Sequence, residues 1–173
     1  LAADKATVGT FYLYNTALGL YRTTDGGSTW QLIHGGEIVA WSSFNIKLKA
    51  VPGKAGELYY SNGDQSGGPT GDFVHSTDGG ATWTVVPNVL EVHAFGFGKA
   101  APGKSNPTIF IDGWVGNVYG IYRSDDNSVT WTKIGDYPLG SLDAVTTVEG
   151  DKDVYGKVYV GFGGSGAVYG QLQ

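Results

Sequence analysis

The chain has 173 residues, 41% of them hydrophobic and only 16% charged, with a net charge of −5 and no cysteine. Its eleven basic residues are scattered, which argues against nucleic acid as a partner, because that needs clustered Lys and Arg. Without cysteine there is no disulfide framework or thiolate metal site, and no apolar run is long enough to cross a membrane.

Glycine at 29 residues, beside abundant Tyr, Val, Thr and Trp, predicts an all-β chain of short strands and tight turns. There is no methionine and the chain opens on Leu1, which predicts a processed product, a domain or a fragment. In chain order, residues 1–3 read as the tail of a first strand, followed by strands at 10–14, 20–23 and 29–33. Between the last two stands TTDGGSTW (23–30). A second set follows at 44–51, 57–61, 72–76 and 82–86 around STDGGATW (76–83). A third runs at 93–99, 108–112, 119–124 and 130–134 around SDDNSVTW (124–131). Strands at 143–148, 157–161 and 167–170 close the chain with neither a box nor a fourth strand.

The repeated phrase fits S/T-x-D-x-G-x-T-W, the Asp-box, with aspartates Asp25, Asp78 and Asp126 53 and 48 residues apart. Each reads as a turn in which the carboxylate accepts backbone N–H groups, glycine supplies positive φ, and Thr-Trp starts the return strand. Ser128 replaces the second glycine in the third copy, predicting a looser or differently bonded turn. KAVPGK (49–54) and KAAPGK (99–104), 50 residues apart, give the same register independently.

Four-stranded antiparallel units at this period predict β-propeller blades, about three and a half of them, as part of a seven-bladed ring. The repeats fall at about 1–35, 44–86, 93–134 and 141–170, in one partial propeller over 1–173. A β-sandwich or a stacked three-blade fragment built from the same hairpins is the alternative. Trp30, Trp83 and Trp131 are expected to pack between blades, and the three box aspartates to be structural.

The boxes, together with FGFGKAAPGK, YGIYRSDD, VYGKVYVGFGGSGAVYG and the opening LAADK…GTFYLYN, resemble the C-terminal part of glycoside hydrolase family 74 from Leu1 to Gly170. The resemblance implies a secreted, extracellular xyloglucan-cleaving parent with two seven-bladed propellers, a cleft between them, and an inverting aspartate pair. Inversion needs carboxyl groups roughly 6.5–9.5 Å apart. The chain is expected to start after both aspartates, so no catalytic residue is assigned and the segment alone is expected to be inactive. No cofactor is implied. The implied partners are xyloglucan or a related β-glucan and an N-terminal remainder of the same protein.

In a propeller the boxes and the first-to-second-strand turns share one face, and the cleft lies on the other. This puts 33–43, 62–71, 87–92, 113–118 and 135–142 on the functional side. Sugars stack on aromatic rings. Trp41 and Trp114, the tryptophans outside the boxes, are therefore the expected platforms, with Tyr137, Asp64, Asp112 and His93 as further contacts and Asn62, Gln65 and Asn117 nearby. His34, His75 and His93 are isolated from one another, so no metal site is expected. GFGGSG (161–166) lacks the Lys-Ser/Thr and helix of a phosphate loop.

A non-catalytic carbohydrate-binding or assembly module is the competing function. A sialidase needs three arginines converging on a carboxylate, and only Arg22 and Arg123 are present.

Overall fold

The computed structural model describes residues 1–40, 45–63, 72–136 and 143–172. Trp41, Asp64, Gln65 and Tyr137 lie outside the described residues. Among those described, all regular structure is β, in four antiparallel meanders. The first sheet holds β1 (Ala2–Ala3), β2 (Phe11–Asn15), β3 (Gly19–Thr23) and β4 (Gln31–Gly35). The second holds β5 (Lys47–Ala50), β6 (Leu58–Ser61), β7 (Phe73–Ser76) and β8 (Thr84–Val85). The third holds β9 (Val89–Gly98), β10 (Thr108–Val115), β11 (Val118–Ser124) and β12 (Thr132–Gly135). The fourth has three strands, β13 (Val145–Gly150), β14 (Val158–Phe162) and β15 (Ala167–Gly170). Consecutive strands pair because the connections are short, as antiparallel hairpins require.

The sheets fall into two compact units, the first two in one and the last two in the other. In the first unit Tyr12 and Leu20 pack on Ala50 and Leu58, with Trp83 lying against them. In the second, Ala94, Phe110 and Ile121 pack on Val145, Val148, Val158 and Val160. Leu20, Leu58, Phe110 and Val148 are fully buried, and each such side chain contributes about 1.5–3 kcal/mol. Sheet-on-sheet burial therefore outweighs any single turn in holding each unit.

The boxes close the third-to-fourth-strand turns. Thr23 Oγ1 donates to Asp25 Oδ1 at 2.7 Å, Thr29 N–H to Oδ1 at 3.0 Å and Thr29 Oγ1 to Oδ2 at 2.7 Å. Asp78 receives the same three bonds from Ser76 and Thr82. The third turn is not looser, but it is differently bonded at Ser128, whose hydroxyl donates to the Asn127 carbonyl at 2.6 Å. Ser124 and Thr130 bond Asp126 in the same way, and Ser128 N–H donates to Ser124 Oγ at 3.0 Å. Asn127 and Ser128 adopt φ of 60° and 65°, so the bonding set imposes the left-handed backbone that glycine takes freely in the other copies. The tryptophans sit one residue before the fourth strands, and the indole N–H groups of Trp30 and Trp83 donate to Gly27 and Gly80 carbonyls. Trp30 is 39% exposed, whereas Trp83 lies against Tyr60.

Box and first turn share a face, as Gly26 N–H donates to Gly9 carbonyl and Gly79 N–H to Gly56 carbonyl. On the opposite face two of the expected connections are shorter than expected. Residues 87–92 and 113–118 are largely strand, with β9 starting at Val89 and β10 running to Val115. Only Gly116 and Asn117 turn the chain, Gly116 at φ 59° as primed hairpin turns require.

Candidate functional site

Three of the expected sugar-contact residues come together at the end of the third sheet away from its box. On β10, Asp112 and Trp114 point to one face, two residues apart. Trp114 pairs across the sheet with Glu91 of β9 and Tyr119 of β11. Between Asp112 and Gly113 the register slips, with partners Ala94 and then Val92, so His93 is the unmatched residue of a β-bulge. A Cβ on Gly113 would come within 2.1 Å of the Glu91 carbonyl oxygen, so the close approach of β9 and β10 here depends on glycine. The bulge turns the His93 ring onto two carboxylates, that of Glu91 on its own strand and that of Asp112 on β10.

His93 Nε2 hydrogen-bonds Glu91, and Nδ1 lies 3.3 Å from Asp112 Oδ2. Tyr119 hydroxyl donates to the Asp112 carboxylate at 3.0 Å. The Tyr119 ring is 5.5 Å from His93 and 5.5 Å from Trp114. Asp112 is fully buried and Glu91 is 2% exposed. Two buried carboxylates against one imidazole demand a compensating charge. Both ring nitrogens face a carboxylate oxygen, and only the imidazolium donates from both. Burial pulls the His93 pKa down, but its bonds to Asp112 and Glu91 outweigh this and hold it above the usual 6.5.

Asp112 and His93 were expected in or beside loops. They read as strand ends in the sequence, but both lie inside longer strands. His93 is half-buried, and Asp112 is buried because it shares its face with Phe110 and pairs with Ile121, which pack on the fourth sheet. Asn62 is likewise fully buried. Half-buried Trp114 and Tyr119 present the aromatic surface of the cluster, and Asn117 is exposed on the turn beside them. Glu91 and Tyr119 were missed by sequence reasoning. The signal was present: Gly-Asn between two Val-containing runs marks a two-residue hairpin, which would have brought Tyr119 opposite Trp114. His75 is not part of this cluster; it stacks on Tyr59 at 4.2 Å and bonds Glu57 at 2.9 Å. Among the described residues no group of three His, Asp or Glu has the geometry to hold a metal ion.

No protein-family profile matches the chain. Individual proteins do. A xyloglucanase of a Paenibacillus species is 42% identical over 125 residues, covering 72% of this chain and 12% of that protein. A xyloglucanase of Acetivibrio thermocellus is 39% identical over 171 residues, covering 99% of this chain and 19% of that protein. Its homologues are the xyloglucanases of glycoside hydrolase family 74. Among solved structures, the family 74 xyloglucanase of Xanthomonas campestris superposes with a TM-score of 0.78 at 28% identity, over 99% of this chain and 23% of that one. The Niastella koreensis family 74 enzyme superposes with a TM-score of 0.75 at 30% identity, over 96% of this chain and 24% of that one. The four sheets are therefore blades of the propeller architecture of this family. The chain spans about a fifth of the length of its longer-matching relatives, or less.

Proposed function

We propose that this chain supplies part of the wall of a polysaccharide cleft in a secreted xyloglucan-hydrolysing propeller enzyme, without providing the catalytic acid or base. The observation that carries the reading is the match to xyloglucanases over 99% of the chain at 39% identity. The Trp114–Tyr119 surface is the sugar platform among the described residues. Asp112 and His93 serve it from beneath: they hold the Tyr119 hydroxyl, and Tyr119 holds the tryptophan ring. Trp41, Asp64 and Tyr137 belong to the same proposal. The remainder of the enzyme contributes the catalytic carboxylates, so the substrate is bound jointly.

The deciding experiment is hydrolysis and binding of xyloglucan by the purified chain. No oligosaccharide is released by the chain alone, while xyloglucan binds weakly. Trp114→Ala weakens that binding by about fivefold to tenfold, the range of one aromatic contact of about 1–1.5 kcal/mol. Release of xyloglucan oligosaccharides by the chain alone would refute the placing of the catalytic carboxylates elsewhere. Unchanged affinity in Trp114→Ala would refute the platform. Binding without any gain of activity when the remaining propeller portions of a family 74 enzyme are supplied would favour a non-catalytic binding module.

A further inference from the structure

A basic residue stands immediately before each box: Arg22, His75 and Arg123. In the second sheet His75 is matched by Glu57 at 2.9 Å. In the third, Arg123 Nε lies 2.9 Å from Asp125 Oδ2. That same carboxylate accepts from Thr108 Oγ1 at 2.9 Å and from Tyr155 hydroxyl at 2.9 Å. The Tyr155 ring lies 5.5 Å from the Arg123 guanidinium. One carboxylate thus joins an arginine, a threonine and a tyrosine at the box face.

The first sheet repeats this arrangement with the carboxylate missing. By strand register, Thr10 occupies the position of Thr108, one residue ahead of the partner of the first box residue. Arg22 occupies the position of Arg123, but Thr24 stands where Asp125 would be. On the neighbouring blade, the turns closed by Val51 N–H to Glu57 carbonyl and by Asp151 N–H to Lys157 carbonyl correspond residue for residue. Ala55 therefore takes the place of Tyr155. Two truncations, of an aspartate and of a tyrosine ring, leave a cavity of about 370 Å³ lined by Thr10, Arg22, Thr24 and Ala55.

The donors left behind are intact. Thr10 is 5% exposed, and its Oγ1 is buried without a hydrogen-bond partner. Among the described residues no carboxylate lies within ion-pair distance of Arg22. The guanidinium lies against the next box: a Cβ on Gly79 would meet Arg22 Nη1 at 2.7 Å. A buried hydroxyl and a guanidinium at an empty space are costly without an acceptor.

We propose that this cavity is a binding site for a ligand carboxylate, which takes the place that the Asp125 side chain fills in the third sheet. Arg22 and Thr10 donate to it, and Ala55 gives it room. Asp4 and Asp78 also border the cavity. Asp4 already accepts from Ala6, Thr7 and Gly56 N–H and Tyr12 hydroxyl, and Asp78 from Ser76 and Thr82. Their negative charge keeps the affinity on the order of millimolar. The carboxylate has two chemical sources, a small free acid or a uronosyl group of a glycan.

The test titrates the protein with acetate and with glucuronate, using glucose as the neutral control, and follows the Arg22 Nε and Gly79 amide resonances. Saturable shifts are expected with one or both acids and not with glucose. Tighter glucuronate than acetate assigns the site to uronosyl groups, and equal affinity to small acids. Arg22→Gln weakens binding by about tenfold or more. Thr24→Asp supplies the missing carboxylate internally, so it removes binding and raises the melting temperature. Absence of saturable shifts up to about 50 mM, well above a millimolar Kd, would overturn the proposal. So would a Thr24→Asp protein that still binds, or that melts lower than the parent.

Discussion

At the scale of single residues, hydrogen bonding around carboxylates decides most of what is distinctive. Asp25 is held well below the usual carboxylate range by Thr29 N–H and the Thr23 and Thr29 hydroxyls. Asp78 is lowered to about 2 by the Thr82 hydroxyl and N–H and by Ser76. A carboxyl group with a depressed folded pKa adds stability that is fully present above its unfolded value near 4 and is lost as pH falls through the folded value. The melting temperature is therefore expected to drop between pH 4 and about 2, and Asp78→Asn should flatten that drop when melting is followed by circular dichroism. Asp126→Ala should cost about 1–2 kcal/mol in denaturant unfolding, because two threonine donors and a serine lose a charged acceptor. His93 has the opposite sign. Its pKa is raised, so its stabilisation is present below pH 6.5 and lost as pH rises through the folded value. Proton NMR should show His93 titrating above 6.5, and His93→Asn should remove the alkaline loss of stability; titration at or below 6.5 would contradict the imidazolium.

At the scale of strands, the β9–β10 bulge is what turns a ladder into a cluster. Gly113→Ala forces a methyl toward the Glu91 carbonyl and should cost about 1–3 kcal/mol. It should also shift the His93 ring resonances, whereas Gly103→Ala, where nothing lies within 4 Å of the added carbon, should leave them in place. The outer edge of β15 is the other strand-level feature. Val168 and Tyr169 are 42% and 67% exposed on a sheet with three strands where the other sheets have four. An exposed apolar edge templates pairing with another chain. Val168→Lys should slow concentration-dependent aggregation measured by light scattering; an unchanged rate would place the sticky surface elsewhere. The strands and boxes themselves were legible, since each box carries its own donors, acceptors and turn residues within eight positions. The bulge was not, because a register slip depends on which residue of the facing strand is reached, and that is a property of two strands at once.

At the scale of the whole molecule, two compact units of two sheets each carry the repeat, and relatives some five times longer contain it. Within each unit two sheets packed through a buried apolar layer hold their connecting turns in place, which is what the proposed cleft wall needs. The sequence alone determined the all-β repeat, the box positions and the resemblance to family 74, because these depend on residues close together in the chain. Tertiary structure alone decided that Asp112 is buried, that Glu91 and Tyr119 join His93 and Trp114, and that the third box closes as tightly as the others. It also decided that Arg123 meets the Asp125 carboxylate while Arg22, among the described residues, lines a cavity with no carboxylate at ion-pair distance. Those outcomes turn on pairing across strands and on what the neighbouring blade places opposite a side chain, and neither is encoded at a fixed spacing along the chain.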